Sequence, residues 1–368
     1  MQVLSLSLRD FRSYHDASVE LGDGVTVVTG PNGAGKTNLL EGLYFACTGR
    51  SCRTNNEREV VRFGSGTART VLSCQDADGL HELSVGFSPG QPKVMRADGA
   101  TVDRLLDVTG RPLVSVFLPD RLELIKGAPA LRRAHLDQFV AALWPARATT
   151  RRLYGQALAQ RNALIARIRA GRGSPASLSG WDAQLARHAV ALMHDRRTAV
   201  DMIAESFRRI GVALGLDSDP ELSYRPRSAA TDADGLAREL AGRLESDLER
   251  GFTGHGPHRD DLLTEHDGHD LRAYGSQGQQ RLALLALLLA EREALGAHRP
   301  SAPLMLLDDV MSELDRERRQ ALVDLLRASP GQSVITATDL EHVPGSTEQD
   351  ITHLAVAKGR LLAMAATG

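Results

Sequence analysis

A glycine-rich segment near the N-terminus has the residue types and spacing that bind phosphate groups. Residues 30–37 read GPNGAGKT and match the pattern G-x-x-x-x-G-K-[ST]. Glycines let backbone N–H groups turn inward around phosphates, the lysine reaches the β- and γ-phosphates, and the hydroxyl beside it binds Mg²⁺. We therefore predict an ATP site in which Lys36 is also catalytic and Thr37 is a Mg²⁺ ligand. The predicted nucleotide contacts are Gly30, Pro31, Asn32, Gly33, Ala34, Gly35, Lys36, Thr37 and Asn38.

Two adjacent carboxylates follow an apolar run much later in the chain. Residues 303–307 read PLMLL, and Asp308 and Asp309 come next. A P-loop enzyme needs a carboxylate at the end of a strand to hold Mg²⁺. We predict that Asp308 has this role and that Asp309 orients or deprotonates the attacking water. The two residues could instead cap the element that follows, but the presence of a P-loop favours catalysis.

A serine at the start of a long apolar helix is a second candidate for anion binding. The segment 274–281 reads YGSQGQQR and precedes the apolar run 282–290. Ser276 is a good N-cap residue, and Gly278 permits a close approach of the backbone to a ligand. On its own the segment is equally typical of an ordinary capped core helix, so both interpretations stay open at this point.

The elements that must position these residues can be predicted from the hydrophobic pattern. A β-branched run at 25–29, the glycine loop and a helical pattern at 38–47 give the strand–loop–helix order that a P-loop requires. Alternating or short apolar runs predict further strands at 3–8, 68–74, 81–87, 304–307, 333–337 and 351–357.

The middle of the chain has a different character. Residues 131–212 are rich in Ala, Leu and Arg with helical spacing, and residues 213–235 carry many turn formers and predict a loop or linker. We therefore predict an α/β ATPase head formed by residues 1–125 and 245–368, discontinuous in sequence, with a helical arm subdomain at 126–244.

Composition narrows the class of protein. The 368 residues are 42% hydrophobic and 24% charged, with a net charge of −2, which is ordinary for a globular protein. Three cysteines favour a reducing compartment over a disulfide framework. No apolar run approaches the roughly 20 residues that a membrane helix needs, and the N-terminus lacks a signal-peptide pattern. We expect a cytoplasmic protein without a membrane partner.

Several motifs occur in the order found in ABC-type ATPases. Over nearly its full length the chain resembles the RecF family, bacterial recombination-repair proteins of the SMC-like branch of that class. The strings that carry the resemblance are FRSY at 11–14, the P-loop, GRSCRT at 49–54, FLPDRLELIKG at 117–127, GPHRDDL at 256–262, SQGQQR at 276–281 and DDVMSELD at 308–315. The resemblance implies an α/β fold, namely a P-loop ABC-type ATPase head with an inserted, mainly helical arm.

The resemblance also implies roles for particular residues. Ser276, Gln277, Gly278 and Gln279 look like the signature motif, which contacts the γ-phosphate of ATP held by the opposite protomer in an isologous dimer. Asp315 resembles the residue that crosses this interface, and Arg12 a basic residue near the nucleotide. Residues 336–338 occupy the place of the switch histidine of transporter ATPases, and Asp309 stands where those enzymes carry glutamate. We expect a weak, Mg²⁺-dependent and DNA-stimulated ATPase.

The function implied is ATP-dependent DNA binding in recombinational repair. An ATP-induced homodimer would bind double-stranded or gapped DNA and, with RecO and RecR, help to load the RecA recombinase, and ATP hydrolysis would reset it. The alternative is the ATPase subunit of an ABC-type transporter, although the region between P-loop and signature is larger than that class needs. An SMC-like tether would need a long coiled coil, and a small-molecule kinase would not need the signature segment.

A basic stretch begins near residue 121. Residues 121–172 carry eleven lysines and arginines against Glu123 and Asp137. Arginine side chains along helices suit DNA phosphates, and the scarcity of aromatics, 4% of the chain, favours the duplex backbone over stacked single strands. A solvated helical face would have the same composition. The arginines that we predict to contact DNA are Arg50, Arg53, Arg132, Arg133, Arg151, Arg152 and Arg161, and Arg121 lies in the same stretch.

Overall fold

In the computed structural model the described residues are 1–108, 111–216, 218–346 and 350–362, apart from the side chains of Asp120 and Arg121. The strands are β1 (Gln2–Phe11), β2 (Tyr14–Glu20), β3 (Val25–Thr29), β4 (Ala68–Asp76), β5 (Gly79–Phe87), β6 (Val94–Ala97), β7 (Ala100–Val102), β8 (Val114–Phe117), β9 (Glu221–Arg225), β10 (Asp261–His266), β11 (His269–Asp270), β12 (Leu304–Leu307), β13 (Ser333–Ala337), β14 (Ile351–Ala357) and β15 (Arg360–Leu362). The helices are α1 (Lys36–Thr48), α2 (Glu123–Lys126), α3 (Pro129–Leu143), α4 (Ala148–Arg169), α5 (Ser179–Ala213), α6 (Ala233–Gly242), α7 (Leu244–Arg250), α8 (Leu271–Tyr274), α9 (Gln277–His298) and α10 (Arg316–Ala328).

The chain forms two compact units. The first comprises Met1–Arg121, Ala213–Gly215 and Arg292–Gly368, and the second Leu122–Val212 and Leu216–Glu291. This division differs from the predicted boundary at residue 245, because 245–291 fall within the second unit. The assignment of 126–244 as an arm subdomain stays a prediction.

The first unit contains two six-stranded sheets. One is antiparallel, in the order β2-β1-β4-β5-β6-β7, and its strands β1 and β4 alternate between buried and more exposed residues. The other has the order β15-β14-β3-β13-β12-β8 and is parallel apart from β15. Every residue of β3, β12 and β13 is buried, which explains why these strands appear in the sequence as uninterrupted apolar or β-branched runs.

Helix α1 packs against both sheets of the first unit, so most of its surface is buried. Ten of its residues are buried, among them Leu39, Leu40, Leu43 and Phe45. Burial on several faces is typical of a helix in a core position. Since Lys36 and Thr37 form its first turn, this burial holds the phosphate-binding residues rigidly in place.

The second unit is mainly helical, with one small sheet in the order β11-β10-β9. Residues 221–225 form β9 inside the segment that was predicted to be loop or linker, so that prediction is wrong there. Four turn-forming residues precede the strand, and it is stabilised by pairing with β10, about forty positions away, which local sequence does not reveal. This pairing also ties residues 261–266 to the second unit.

Candidate functional site: a phosphate-binding cleft

The P-loop joins β3 to α1 and needs glycine at two positions for different reasons. Gly30 has a φ of 154°, and a Cβ there would come within 2.2 Å of the carbonyl oxygen of Val356. Gly35 is the N-cap of α1 with a φ of 117°, and a Cβ there would approach the Ser13 hydroxyl to 2.8 Å. Side chains at these positions would force the loop to open, so glycine is what allows the tight turn.

Lys36 is buried in the loop that precedes it. Its ammonium group donates hydrogen bonds to the carbonyl oxygens of Gly30, at 2.6 Å, and Pro31, at 3.2 Å. The side chain is only 7% exposed. The ammonium is thus fixed inside the loop, beside the N-terminus of α1, where the partial positive charge of the helix also favours phosphate.

Thr37, Asp308 and Thr336 form a hydrogen-bonded group of oxygen atoms. The Thr37 hydroxyl lies 2.9 and 3.0 Å from the two carboxylate oxygens of Asp308, and the Thr336 hydroxyl donates to the same carboxylate at 2.8 Å. Burial raises the pKa of Asp308, while the hydrogen bonds from Thr336 and Thr37 oppose that shift. A hydroxyl and a carboxylate so close together fit the oxygen ligands that Mg²⁺ prefers.

Asp309 follows in a left-handed conformation with a φ of 44°. Its backbone N–H donates to the Thr336 hydroxyl at 2.9 Å. Aspartate tolerates the left-handed region better than most residues, because its short side chain can bond locally. This backbone requirement gives a physical reason for aspartate at a position where transporter-type sites carry glutamate.

These residues line one open cleft of about 300 Å³ in the first unit. Its polar lining combines N–H donors, cations, carboxylates and a hydroxyl, which together suit a nucleotide phosphate chain with a divalent metal. The lining residues are Asn32, Gly33, Gly35, Lys36, Thr37, Asn38, Arg53, Pro119, Asp308 and Asp309.

Sequence reasoning missed the residue that holds the arginines beside this cleft. Glu41 in α1 is completely buried, and its carboxylate accepts hydrogen bonds from Arg12 at 2.7 and 2.8 Å, from Ser51 at 2.5 Å and from Arg53 at 3.3 Å. Arg53 also donates to the Asn38 side chain at 3.0 Å. Only the helical position of Glu41, one turn after Thr37, could have drawn attention to it.

The predicted signature segment forms the start of α9. The Ser276 hydroxyl accepts from the Gln279 N–H at 3.2 Å, and the Gln279 side chain accepts from the Ser276 N–H at 2.9 Å. This reciprocal pair is a capping box. Ser276, Gln277 and Gly278 are exposed, so the helix start can be reached from solvent. Asp315 is likewise exposed, and it caps α10 through the Arg318 N–H.

Residues 336–338, which occupy the place of the transporter switch histidine, carry threonine at both ends. Thr336 bonds Asp308 and Asp309, as described above, and the Thr338 hydroxyl lies 3.1 Å from Nδ1 of His342. The turn after β13 brings His342 back toward the end of that strand.

Two of the arginines predicted to contact DNA are internal, and the structure contradicts that prediction for them. Arg161 is 0% exposed and pairs with Asp182 and Asp247, both at 2.6 Å, while Arg132 is 3% exposed and forms a bidentate pair with Asp261 at 2.8 Å. Both guanidinium groups are buried in ion pairs with these carboxylates, and neither can reach a phosphate.

The other predicted arginines differ in accessibility. Arg50, Arg53, Arg151 and Arg152 are exposed and Arg133 is half-buried. The Arg151 guanidinium lies 3.1 Å from the Asp137 carboxylate, which also pairs with Arg196. The side chain of Arg121 lies outside the described part of the chain.

The fold and the cleft define an ATPase of the ABC and SMC-like class. A sequence profile of the AAA domain family matches residues 5–87. The SMC head bound to the C-terminal winged-helix domain of ScpA has a similar fold, with a TM-score of 0.62 over 100% of this chain and 98% of that one at 15% identity. Within the described residues, each helix is too short or too polar to cross a bilayer.

Closer relatives identify the family. The chain is 37% identical over 372 residues to the DNA replication and repair protein RecF of Myxococcus xanthus (strain DK1622), which covers 98% of this chain and 97% of the relative. RecF of Anaeromyxobacter sp. (strain Fw109-5) is 38% identical over 92% and 93% of the two chains. A structure of the recombination mediator RecF with ATP, of the RecFOR pathway, matches with a TM-score of 0.83, 27% identity and coverage of 99% and 98%. The chain belongs to the RecF family of DNA replication and repair proteins.

Proposed function

We propose that this protein is an ATP-gated DNA clamp of recombinational repair. The observation that carries the proposal is that one chain has both a phosphate-binding cleft and, at Ser276, an exposed helix start. Two copies related by a two-fold axis would each supply both parts, so that two ATP molecules would be enclosed at the interface. The transporter alternative has no support among the relatives, which are named as DNA replication and repair proteins.

The nucleotide would be held by residues of the first unit and completed by the partner copy. The P-loop N–H groups and Lys36 would bind the phosphates. Arg12 and Arg53, which are held by Glu41, would lie near them. Thr37 and Asp308 would hold Mg²⁺. Bound Mg²⁺ would neutralise charge on the phosphates during transfer to water. Ser276, Gln277, Gly278 and Gln279 of the partner would contact the γ-phosphate, with Asp315 at the interface.

Hydrolysis would be slow and would serve to reset the clamp. Asp309 lines the cleft and is the remaining carboxylate there that could orient water. Its side chain is one methylene shorter than glutamate, and its backbone is fixed by Thr336, so it reaches less far toward the γ-phosphate. We infer that DNA stimulates this weak activity by favouring the closed dimer.

Accessible arginines would hold the DNA. Arg50, Arg53, Arg133, Arg151 and Arg152 are exposed or half-buried, and they would contact phosphates without reading sequence. Double-stranded and gapped DNA are the proposed substrates, RecR and RecO the proposed protein partners, and RecA loading the outcome. The small and odd number of cysteines, three, fits a cytoplasmic location.

The deciding experiment measures fluorescence anisotropy of labelled gapped, fully duplex and single-stranded DNA, with and without ATP and Mg²⁺. We expect salt-sensitive binding to the duplex-containing DNAs that requires ATP. The variant Lys36→Ala should bind neither ATP nor DNA, while Arg208→Ala, which removes an exposed cation outside the cleft, should behave as wild type. Binding that is equal with and without ATP would refute the gating.

A further inference from the structure

Both carboxylates of the string GPHRDD at 256–261 bond to other groups of the second unit. Asp261 takes the bidentate pair from Arg132, as described above. Asp260 is 0% exposed and accepts from the Arg227 N–H at 2.7 Å, from Arg196 at 3.4 Å and from the Tyr224 hydroxyl. Both carboxylates are therefore already bonded to other groups.

Arg259 immediately precedes Asp260 in the chain and is itself exposed. Its guanidinium lies over the ring of Phe252, 5.5 Å from the ring centroid, and Phe252 is 41% exposed. Among the residues that the structure describes, no carboxylate forms an ion pair with Arg259. A planar cation that is oriented by an aromatic face and has no counter-ion is suited to bind an external anion.

Arg133 adds a second cation next to Arg259. It donates to the backbone carbonyl of Asp260 at 2.8 Å, which leaves its charge without a bonded carboxylate. Burial lowers the pKa of Arg133, and the charges of Arg196 and Arg259 add to this effect. The charges of Asp261 and Asp260 oppose these shifts, and a bound anion would further offset the repulsion among Arg133, Arg196 and Arg259.

Three more cations surround the same string. Arg225 lies opposite Asp261 in the backbone pairing of β9 with β10. Arg227 follows in the chain, and its backbone N–H donates to the Asp260 carboxylate. Lys126 lies in sequence between Ile125 and Gly127, whose backbone carbonyls both accept hydrogen bonds from Arg132. All three are exposed. We call these three residues, Arg133 and Arg259 the motif cations.

We propose that the motif cations bind the phosphodiester backbone of duplex DNA. This inference rests on the proposed function, because it names a contact surface of the same clamp. The five cations come from three separate segments of the chain and are exposed or half-buried, which suits a polyanion laid across a surface. Four of the five are arginines, whose planar, forked donors match phosphate oxygens. Contacts of this kind contribute affinity without sequence preference and make binding steeply dependent on salt.

The test compares salt dependence between matched variants. The double variant R227A/R259A removes two motif cations that have no ion pair within the described residues. The control Arg208→Ala removes an exposed arginine of the same unit whose charge is already paired with Glu205 and Asp219. Affinity for a labelled duplex is measured with ATP and Mg²⁺ at several salt concentrations, alongside thermal unfolding and ATP-dependent dimerisation.

We expect the slope of log affinity against log salt to fall by about two in R227A/R259A, roughly one for each lost phosphate contact. The slope should stay unchanged in Arg208→Ala, and Arg259→Lys should retain most of the wild-type slope because it keeps the charge. An unchanged slope in a folded, dimerising double variant would overturn the site and leave the clamp intact. Absence of ATP-dependent binding in the wild type would instead refute the proposed function.

Discussion

The hydroxyl of Thr37 lies 2.9 Å from the carboxylate of Asp308, although 271 positions separate the two residues in the chain. The contact exists because β3 and β12 both flank β13 in one parallel sheet, so that their carboxyl ends meet at the same edge. Thr336, at the end of β13, donates to the same carboxylate and completes the group. In α/β proteins this edge is where ligands bind.

Replacing Asp308 with asparagine should separate stability from function. Burial makes the ionised carboxylate costly in the nucleotide-free protein, so Asp308→Asn should raise its thermal unfolding temperature at neutral pH. The variant should lose the extra stabilisation that Mg²⁺ and ATP give together. Thermal unfolding with and without Mg²⁺–ATP measures both effects, and a lowered unfolding temperature without ligand would contradict this account of the buried charge.

The same carboxylate predicts a pH dependence. Because burial raises the folded-state pKa of Asp308, its contribution to the stability of the nucleotide-free protein is fully present below the unfolded pKa. This contribution is lost as the pH rises through the folded value. Mg²⁺ binding needs the ionised form, so the stabilisation by Mg²⁺–ATP should shrink as the solution is made acidic. Titrating the Mg²⁺ affinity at constant ATP from neutral to mildly acidic pH tests the sign, and an affinity that rises on acidification would contradict it.

Most of the cleft could be predicted from sequence because its parts are local. The P-loop lies in eight consecutive residues, and β3, β12 and β13 have the predicted bounds because buried parallel strands are continuous apolar runs. Strand β14 also has the predicted bounds, although most of its residues are only partly buried. Glu41 could not be predicted, since its role depends on Arg12 and Arg53 arriving from outside its own helix. The spacing of residues along one helix does not reveal contacts with residues from other parts of the chain.

The arm arginines show the opposite limit. Arg152 and Arg161 have the same residue type and lie in the same helix, α4, yet one is exposed and the other completely buried. A positive charge in a sequence indicates affinity for any anion, and the buried carboxylates of Asp182 and Asp247 compete with DNA for it. The carboxylates that decide this lie 21 and 86 positions away.

Asp309→Asn should stop hydrolysis while leaving ATP binding and dimerisation intact. Asparagine tolerates the left-handed backbone at this position about as well as aspartate, so the fold should not suffer. The amide cannot accept a proton from water, and turnover should fall by roughly two orders of magnitude or more, the usual contribution of a general base. Phosphate release measures turnover, and light scattering with ATP measures dimerisation. Turnover close to that of the wild type would remove Asp309 from the catalytic role.

Ser276→Arg should block the ATP-dependent dimer without preventing ATP binding, because a bulky cation would occupy the place proposed for the partner's γ-phosphate. The change also removes an N-cap, which costs about 1 kcal/mol. Asp232→Ala is the matched control, since it removes the cap of α6 through the same kind of bond, to the Gly235 N–H. Analytical ultracentrifugation with ATP should show dimers for the control and monomers for Ser276→Arg, and dimers in both would reject the sandwich.

Arg161→Ala should destabilise the protein rather than weaken DNA binding directly. The substitution leaves Asp182 and Asp247 as buried carboxylates without their cation, which costs about 3–5 kcal/mol. We expect a large fall in the midpoint of denaturant unfolding. DNA affinity, compared at equal concentrations of folded protein, should stay close to that of the wild type.

Arg152→Ala is the control for this prediction, because it removes the same charge from an exposed position of the same helix. Its free energy of unfolding should change by no more than about 0.5 kcal/mol. If Arg161→Ala unfolded like the wild type but bound DNA more weakly, the guanidinium would have to be accessible. The buried pairs with Asp182 and Asp247 would then be wrong. If both variants lost stability equally, the surface of α4 near Arg152 would have to be buried against another element.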